Sequence, residues 1–192
     1  MKHFALATAI LALAAPLALA QTSTWKSDPA HSEVDFSIKH MSISNVHGRF
    51  GKVDATLVYN QADVTKSTVN ATIDVSGVDT GEAARDNHLK TDSFFDVAKF
   101  PTATFVSTGV VRDGANLKVA GNLTLHGVSK PVVLEVEASG APVENPMDHK
   151  LHTGFSATAT ISRTAFAIGS SFPDAIVADA VKMTIELDVV KQ

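Results

Sequence analysis

The chain contains no cysteine. Disulfides, thiolate metal sites and a thiol nucleophile are therefore all excluded, and the apolar core alone must hold the fold together. Tryptophan and tyrosine occur once each, so ten phenylalanines supply nearly all the aromatic surface. A basic excess is missing too: 16 Lys and Arg stand against 20 Asp and Glu, a formal net charge of −4. Nucleic-acid partners call for a positive face, and this balance argues against them. There is no G-x-S-x-G elbow, no G-x-x-x-x-G-K-[ST] loop and no dinucleotide fingerprint, so the familiar routes to ester hydrolysis and nucleotide use are absent. Gly169-Ser170-Ser171-Phe172 approaches the elbow and misses it.

Long apolar runs are confined to the start. Lys2 and His3 precede Phe4 to Ala20, interrupted only by Thr8 and Pro16. The run is shorter than the roughly 20 residues that span a bilayer, and Ala18-Leu19-Ala20 offers a small-x-small cleavage site. It predicts a signal peptide over residues 1–20 and export to the periplasm or beyond. With no cysteine to acylate, a lipoprotein anchor is excluded and no stable membrane insertion is expected. Residues 21–192 are the length of one domain.

Period-2 alternation runs through that domain, the mark of half-buried strands. Val34, Phe36 and Ile38 alternate with Asp35, Ser37 and Lys39; similar patterns recur over 52–59, 69–75, 103–111, 117–125, 132–136, 155–161 and 183–189. Turn signals at 60–63, Asp113-Gly114-Ala115-Asn116 and His126-Gly127 favour neighbouring antiparallel strands. Residues 81–92 alone read as helical, with Thr80 as N-cap and Glu82 in the first turn. Eight strands and one short helix give an all-β fold, closed as a barrel or stacked as a sandwich. Periodicity leaves open whether the interior is filled or hollow.

The histidines after residue 20 are His31, His40, His47, His88, His126, His149 and His152. Only His149 and His152 are close in sequence, in a loop with no helix to orient them and no third ligand in view, so no metal is expected. Asn70-Ala71-Thr72 and Asn122-Leu123-Thr124 match the glycosylation sequon but fall inside predicted strands. The segment 85–105 mixes Arg85, Asp86 and His88 with Leu89, Phe94 and Phe95. Two arrangements fit: charges on a helix surface with the rings plugging a barrel end, or rings walling a cavity whose mouth carries the charges. Amphiphile sites need both an apolar wall and a few polar groups.

The ordered motifs His31-Ser32 with Val34, Phe36 and His40, Gly48-x-Phe50, Asp79-Thr80, Arg85-Asp86-x-His88-Leu89, Lys99-x-Pro101, Gly121-x-Leu123-Thr124-Leu125-x-Gly127, Lys130-Pro131-Val132, Gly154-Phe155 and Phe166 resemble the YceI family of exported, lipocalin-like polyisoprenoid-binding proteins. The resemblance implies an eight-stranded antiparallel barrel with one short helix, enclosing a long apolar pore. It further implies non-catalytic binding of a long-chain amphiphile (a polyisoprenoid, isoprenoid quinone or fatty amide) with no cofactor besides that lipid, and points to stress protection or quinone handling. Phe36, Ile38, Phe50, Phe94, Phe95, Phe105, Phe155 and Phe166 would line the pore with Leu89, and His40, Arg85, Asp86 and His88 would meet the head group. A homodimer is the default oligomer. A structural or partner-binding module with a filled core is the alternative; a hydrolase or metal enzyme acting on amphiphiles is a weaker one. Two stretches depart from the family pattern, Pro146 to His152 and Ala165-Phe166-Ala167.

Overall fold

The computed structural model describes residues 22–138 and 140–192; the predicted signal peptide lies outside them. The elements follow in the order β1 (Thr22–Ser27), β2 (Glu33–His40), β3 (Ser44–Arg49), β4 (Val53–Asn60), β5 (Thr68–Asp74), α1 (Ala83–Leu89), β6 (Thr102–Asp113), β7 (Asn116–Leu125), β8 (Val128–Ala138), β9 (Val143–Glu144), β10 (Leu151–Ser162) and β11 (Val177–Lys191), with single 3-10 turns at Val64–Lys66 and Thr164–Phe166. The strands form a closed eight-stranded antiparallel barrel with one helix, in the ring order β1-β4-β5-β6-β7-β8-β10-β11.

Closure depends on the 15-residue β11. One edge pairs β10 from Ala180 to Val190. Its other edge pairs β1 at Val189–Lys191 and β2 over Val177–Glu186, so β1 and β2 are successive halves of one position in the ring. β3 and β4 divide the next position likewise, because β3 pairs β2 while β4 pairs β1. At the β3 level the ring is completed by the 74–79 turn, where Arg49 and Asp79 exchange backbone hydrogen bonds of 2.8 and 2.9 Å. Eight ring positions agree with the alternation pattern. The sequence reading overlooked β1, β3 and β9, whose few inward apolar residues, Trp25 and Val46 among them, leave no pattern to see.

Two irregularities shape the wall. Between Ser107 and Gly109 the β6–β7 register shifts, and the inward face passes from Phe105 to Val110 while Val111 turns outward, 55% exposed. An inserted residue at a glycine is the usual way a strand changes facing. Secondly, β8 pairs with β10 only over Glu135–Ala138. The rest of that edge carries Pro131, which has no N–H to leave unpaired, and Thr164–Phe166 backs it, with His126 Nδ1 3.1 Å from the Phe166 carbonyl.

The helix is shorter than 81–92 and is capped differently. Glu82, not Thr80, is the N-cap, its carboxylate accepting from the Ala84 N–H. The Thr80 hydroxyl is otherwise engaged: it donates to Asp86 Oδ1 at 2.5 Å and accepts from Arg85 Nε at 2.7 Å. Gly81, at φ +76°, turns the chain between them.

Candidate functional site: an apolar pore with a basic mouth

The inward faces do not fill the barrel. An inner cavity of about 160 Å3 is walled by residues such as Val69, Phe105, Val119, Leu134, Phe155, Ala157 and Leu187. A mouth cavity of about 310 Å3 lies beside α1, walled by Phe36, Ile38, Phe50, Leu89, Phe94, Phe95, Phe172 and others. Val34, Ile73, Leu123, Ile161 and Met183 line both, and so form the waist at which the two cavities adjoin. A third cavity of about 180 Å3 continues past Leu57, Tyr59, Leu117 and Phe155 toward Trp25 and Pro142 at the far end. From Val177 at the mouth to Leu187 inside, a rise of roughly 3.3 Å per residue along strands tilted about 40° gives a pore roughly 25 Å long.

Glycines set the ring positions. Phe36 faces Gly48 across β2 and β3, and a Cβ there would overlap the Phe36 ring. Gly121 clears space for Phe105 in the same way. The Phe36 ring then packs on Phe50 at 5.2 Å, and Phe50 meets Phe95 edge-on at 5.6 Å, the tilted geometries that aromatic quadrupoles favour. Phe94 stacks on Phe172 at 4.9 Å, and His88 sits edge-on to Phe94 at 5.1 Å.

Lys39, His40, Arg85 and His88 are the exposed polar groups at the mouth, and no carboxylate lies among the described residues lining that cavity. Arg85 is held by Thr80, donating to its hydroxyl and, from Nη2, to its carbonyl at 3.0 Å. The structure thus brings Phe36, Ile38, His40, Phe50, Arg85, His88, Leu89, Phe94 and Phe95 to the mouth cavity, and Phe105 and Phe155 to the inner one. Two expected residues are elsewhere. Asp86 accepts the Thr80 N–H and hydroxyl and lines neither cavity, since orienting the turn before α1 uses its carboxylate. Phe166, 2% exposed, is buried in the core beneath the 3-10 turn instead of facing the pore. The rings at 94 and 95 are both plug and wall: they are 7% and 8% exposed, and each borders the void.

Sequence reasoning missed Phe172, noticed only as part of a failed elbow, and Arg163. The Arg163 guanidinium is 3% exposed. It donates to the carbonyls of Ala178 (3.1 Å), Ile168 (3.0 Å), Phe172 (2.7 Å), Val177 (2.7 Å) and Gly169. All five N–H donors are used, so the charge organises the 164–178 loop that frames the mouth.

At the opposite end, His149 and His152 do not converge. His149 approaches Glu144 at 3.7 Å, whereas His152 lies between Asp188, 2.9 Å from Nδ1, and Asp148, 3.1 Å from Nε2. Contrary to expectation, further potential ligands do stand nearby, because Asp28 and Asp188 place carboxylate oxygens within 4.8 Å of His152 and of each other. Hydrogen bonds to Asp148 and then Asp188 raise the His152 pKa above its ordinary 6.5. Asp148 is lowered below 3.8 by the Lys150 N–H and by His152. Both imidazole nitrogens are committed to carboxylates, which makes the group an electrostatic clasp joining β10, β11 and the 145–150 loop.

A closed eight-stranded antiparallel barrel with apolar cavities along its axis has an architecture wide enough to hold one small ligand. The chain belongs to the YceI-like family: the pattern described as "YceI-like domain" matches residues 25–189. It is 39% identical over 162 residues to "Protein YceI" of Salmonella newport, covering 84% of this chain and 83% of that one. The solved Campylobacter jejuni YCEI protein is similar at a TM-score of 0.71 and 33% identity, covering 81% of this chain and 90% of its own. A polyisoprenoid binding domain from Saccharophagus degradans shares the fold at a TM-score of 0.59 and 16% identity, over 90% of this chain and all of that one. Among the described residues, no helix is long and apolar enough to cross a membrane.

Proposed function

We propose that the protein binds a long-chain amphiphile, a polyisoprenoid or comparable lipid, non-catalytically in its pore, as a periplasmic carrier or scavenger. The carrying observation is the pair of adjoining apolar cavities along the barrel axis, with basic residues at the mouth. Its length supports a long ligand. Half a bilayer's hydrocarbon core is about 15 Å, so a pore of roughly 25 Å outreaches an ordinary acyl chain in a leaflet. The Saccharophagus degradans domain, named for polyisoprenoid binding, supports the same reading.

Magnitude agrees. An extended chain advances about 1.2 Å per bond, so the pore takes roughly 20 carbons. At about 0.8 kcal/mol per buried CH2 this is about 16 kcal/mol gross. Association and ordering offset about half, leaving micromolar binding. Arg85, His40 and His88 would meet a polar or anionic head. The test is titration of delipidated protein with a fluorescent chain series of increasing length. Affinity should rise until the chain fills the pore and then level off; affinity independent of chain length would contradict a tail-driven site.

A further inference from the structure

The tip of the β2–β3 hairpin is apolar and exposed, with Met41 at 48% and Ile43 at 79%. Its Met41 N–H donates to the Ile176 carbonyl at 2.8 Å, which ties the hairpin to the 173–176 loop, and Ile176 is itself 41% exposed. His40 and Ile176 line the mouth cavity, so these three apolar side chains form a lip on the rim of the pore. Lys39, His40, Arg85 and His88 stand around the same opening. The nearby carboxylates keep their charge and offset part of that of Lys39 and Arg85, but each is turned to a local hydrogen bond and lines no part of the opening: Asp174 accepts the Asp179 N–H, Asp86 binds Thr80, and Glu82 caps α1.

The far end offers a contrast. Val143 and Met147 are exposed there at 67% and 90%, in a segment that carries Glu144 and Asp148 as well as His149 and Lys150 and lies beside the carboxylates of Asp28 and Asp188. A chain with a net charge of −4 is repelled from an anionic surface except where it presents a basic face. At the mouth, protruding apolar residues stand beside the basic Lys39 and Arg85, the pairing that holds a protein at a membrane interface without spanning it.

We infer that the Met41, Ile43 and Ile176 lip docks reversibly on an anionic lipid bilayer, seating the pore mouth on the membrane. A tail then passes between bilayer and pore without crossing water, a step that lies beyond ligand binding itself.

The test uses the full folded protein and vesicle flotation. Wild-type protein floats with phosphatidylcholine–phosphatidylglycerol vesicles more than with phosphatidylcholine alone. High salt releases it, because each basic residue contributes about fivefold to partitioning and is screened within a Debye length. Met41→Asp/Ile43→Asp lowers partitioning at least about tenfold, whereas Met147→Asp leaves it unchanged. A tryptophan replacing Ile43 is quenched by brominated lipid, and one replacing Met147 is not. Equal flotation of the lip variant and wild type overturns the proposal. So does a concentration-dependent dimer abolished by the same substitutions, which assigns the lip to a second copy of the chain. Binding of a soluble fluorescent chain, read in parallel without vesicles, separates this outcome from the pore: the lip variant retains it, and its loss in wild type would count against the pore reading alone.

Discussion

Leu123 and Met183 point inward at the waist yet remain part-exposed, because they border the void between the two cavities. Replacing Leu123 by Trp should close that waist. Beyond it, the wall runs from Met183 to Leu187, which at roughly 3.3 Å per residue and about 40° of tilt is roughly 10 Å of pore. That length holds about eight carbons, or about 6 kcal/mol of gross burial. If chain ordering offsets half of it, the variant binds a pore-filling chain about 3 kcal/mol, roughly a hundredfold, more weakly. A chain short enough for the mouth cavity should lose less than about threefold. The assay is competitive displacement of a fluorescent chain by a long and a short ligand, with near-UV dichroism confirming the fold. Undiminished affinity for the long ligand, or equal losses for both, would refute a continuous pore through the waist.

Further expectations follow from particular groups. Arg163→Met strips five carbonyls of their donor, so urea unfolding should show a loss of about 3–5 kcal/mol, and Arg163→Lys should recover only part of it; wild-type stability in either would show that the guanidinium does not organise the loop. The clasp at His152 should depend on pH with a defined sign. Its histidine share is fully present below the ordinary 6.5 and lost as pH rises through the raised value, and the Asp148 share is present above 3.8 and lost as pH falls through the lowered value. The Tm advantage of wild type over His152→Gln should therefore be larger at about pH 5 than at about pH 8, and a gap that widens with pH would contradict the ion-pair account. Phe95→Leu, milder than the alanine change in a residue this buried, should reduce lipid recovery more than Arg85→Ala; the reverse order would make the head group the main source of affinity.

Alternation alone exposed the eight ring positions, because a barrel strand has one dry face and one wet face along its whole length. It could not expose β3, where Ser44–Arg49 contributes only Val46 among the inner apolar positions and pairing is carried by the backbone. Nor could it separate hollow from filled, since Val119 and Leu123 follow the same pattern whether they meet a side chain or a void. Arg163, between Ser162 and Thr164, carried no signal in the sequence; its burial depends on five carbonyls of a loop with no periodicity to read. Asp86 looked like a mouth charge because its neighbours Arg85 and His88 are, yet its place on the short helix turns it back onto Thr80. The His152 clasp joins residues 148, 152 and 188, with Asp28 close by, a proximity that only the pairing of β11 with β10 and β1 creates.

The central claim is that the pore holds a lipid tail. Native mass spectrometry of the protein purified from its own host, with organic extraction of the same sample, tests it most directly. The account predicts an added mass that is released into the organic phase as a long-chain amphiphile and is reduced in Leu123→Trp. Protein that emerges at its bare mass, with nothing long-chained in the extract and no uptake of added polyisoprenoid, would contradict it.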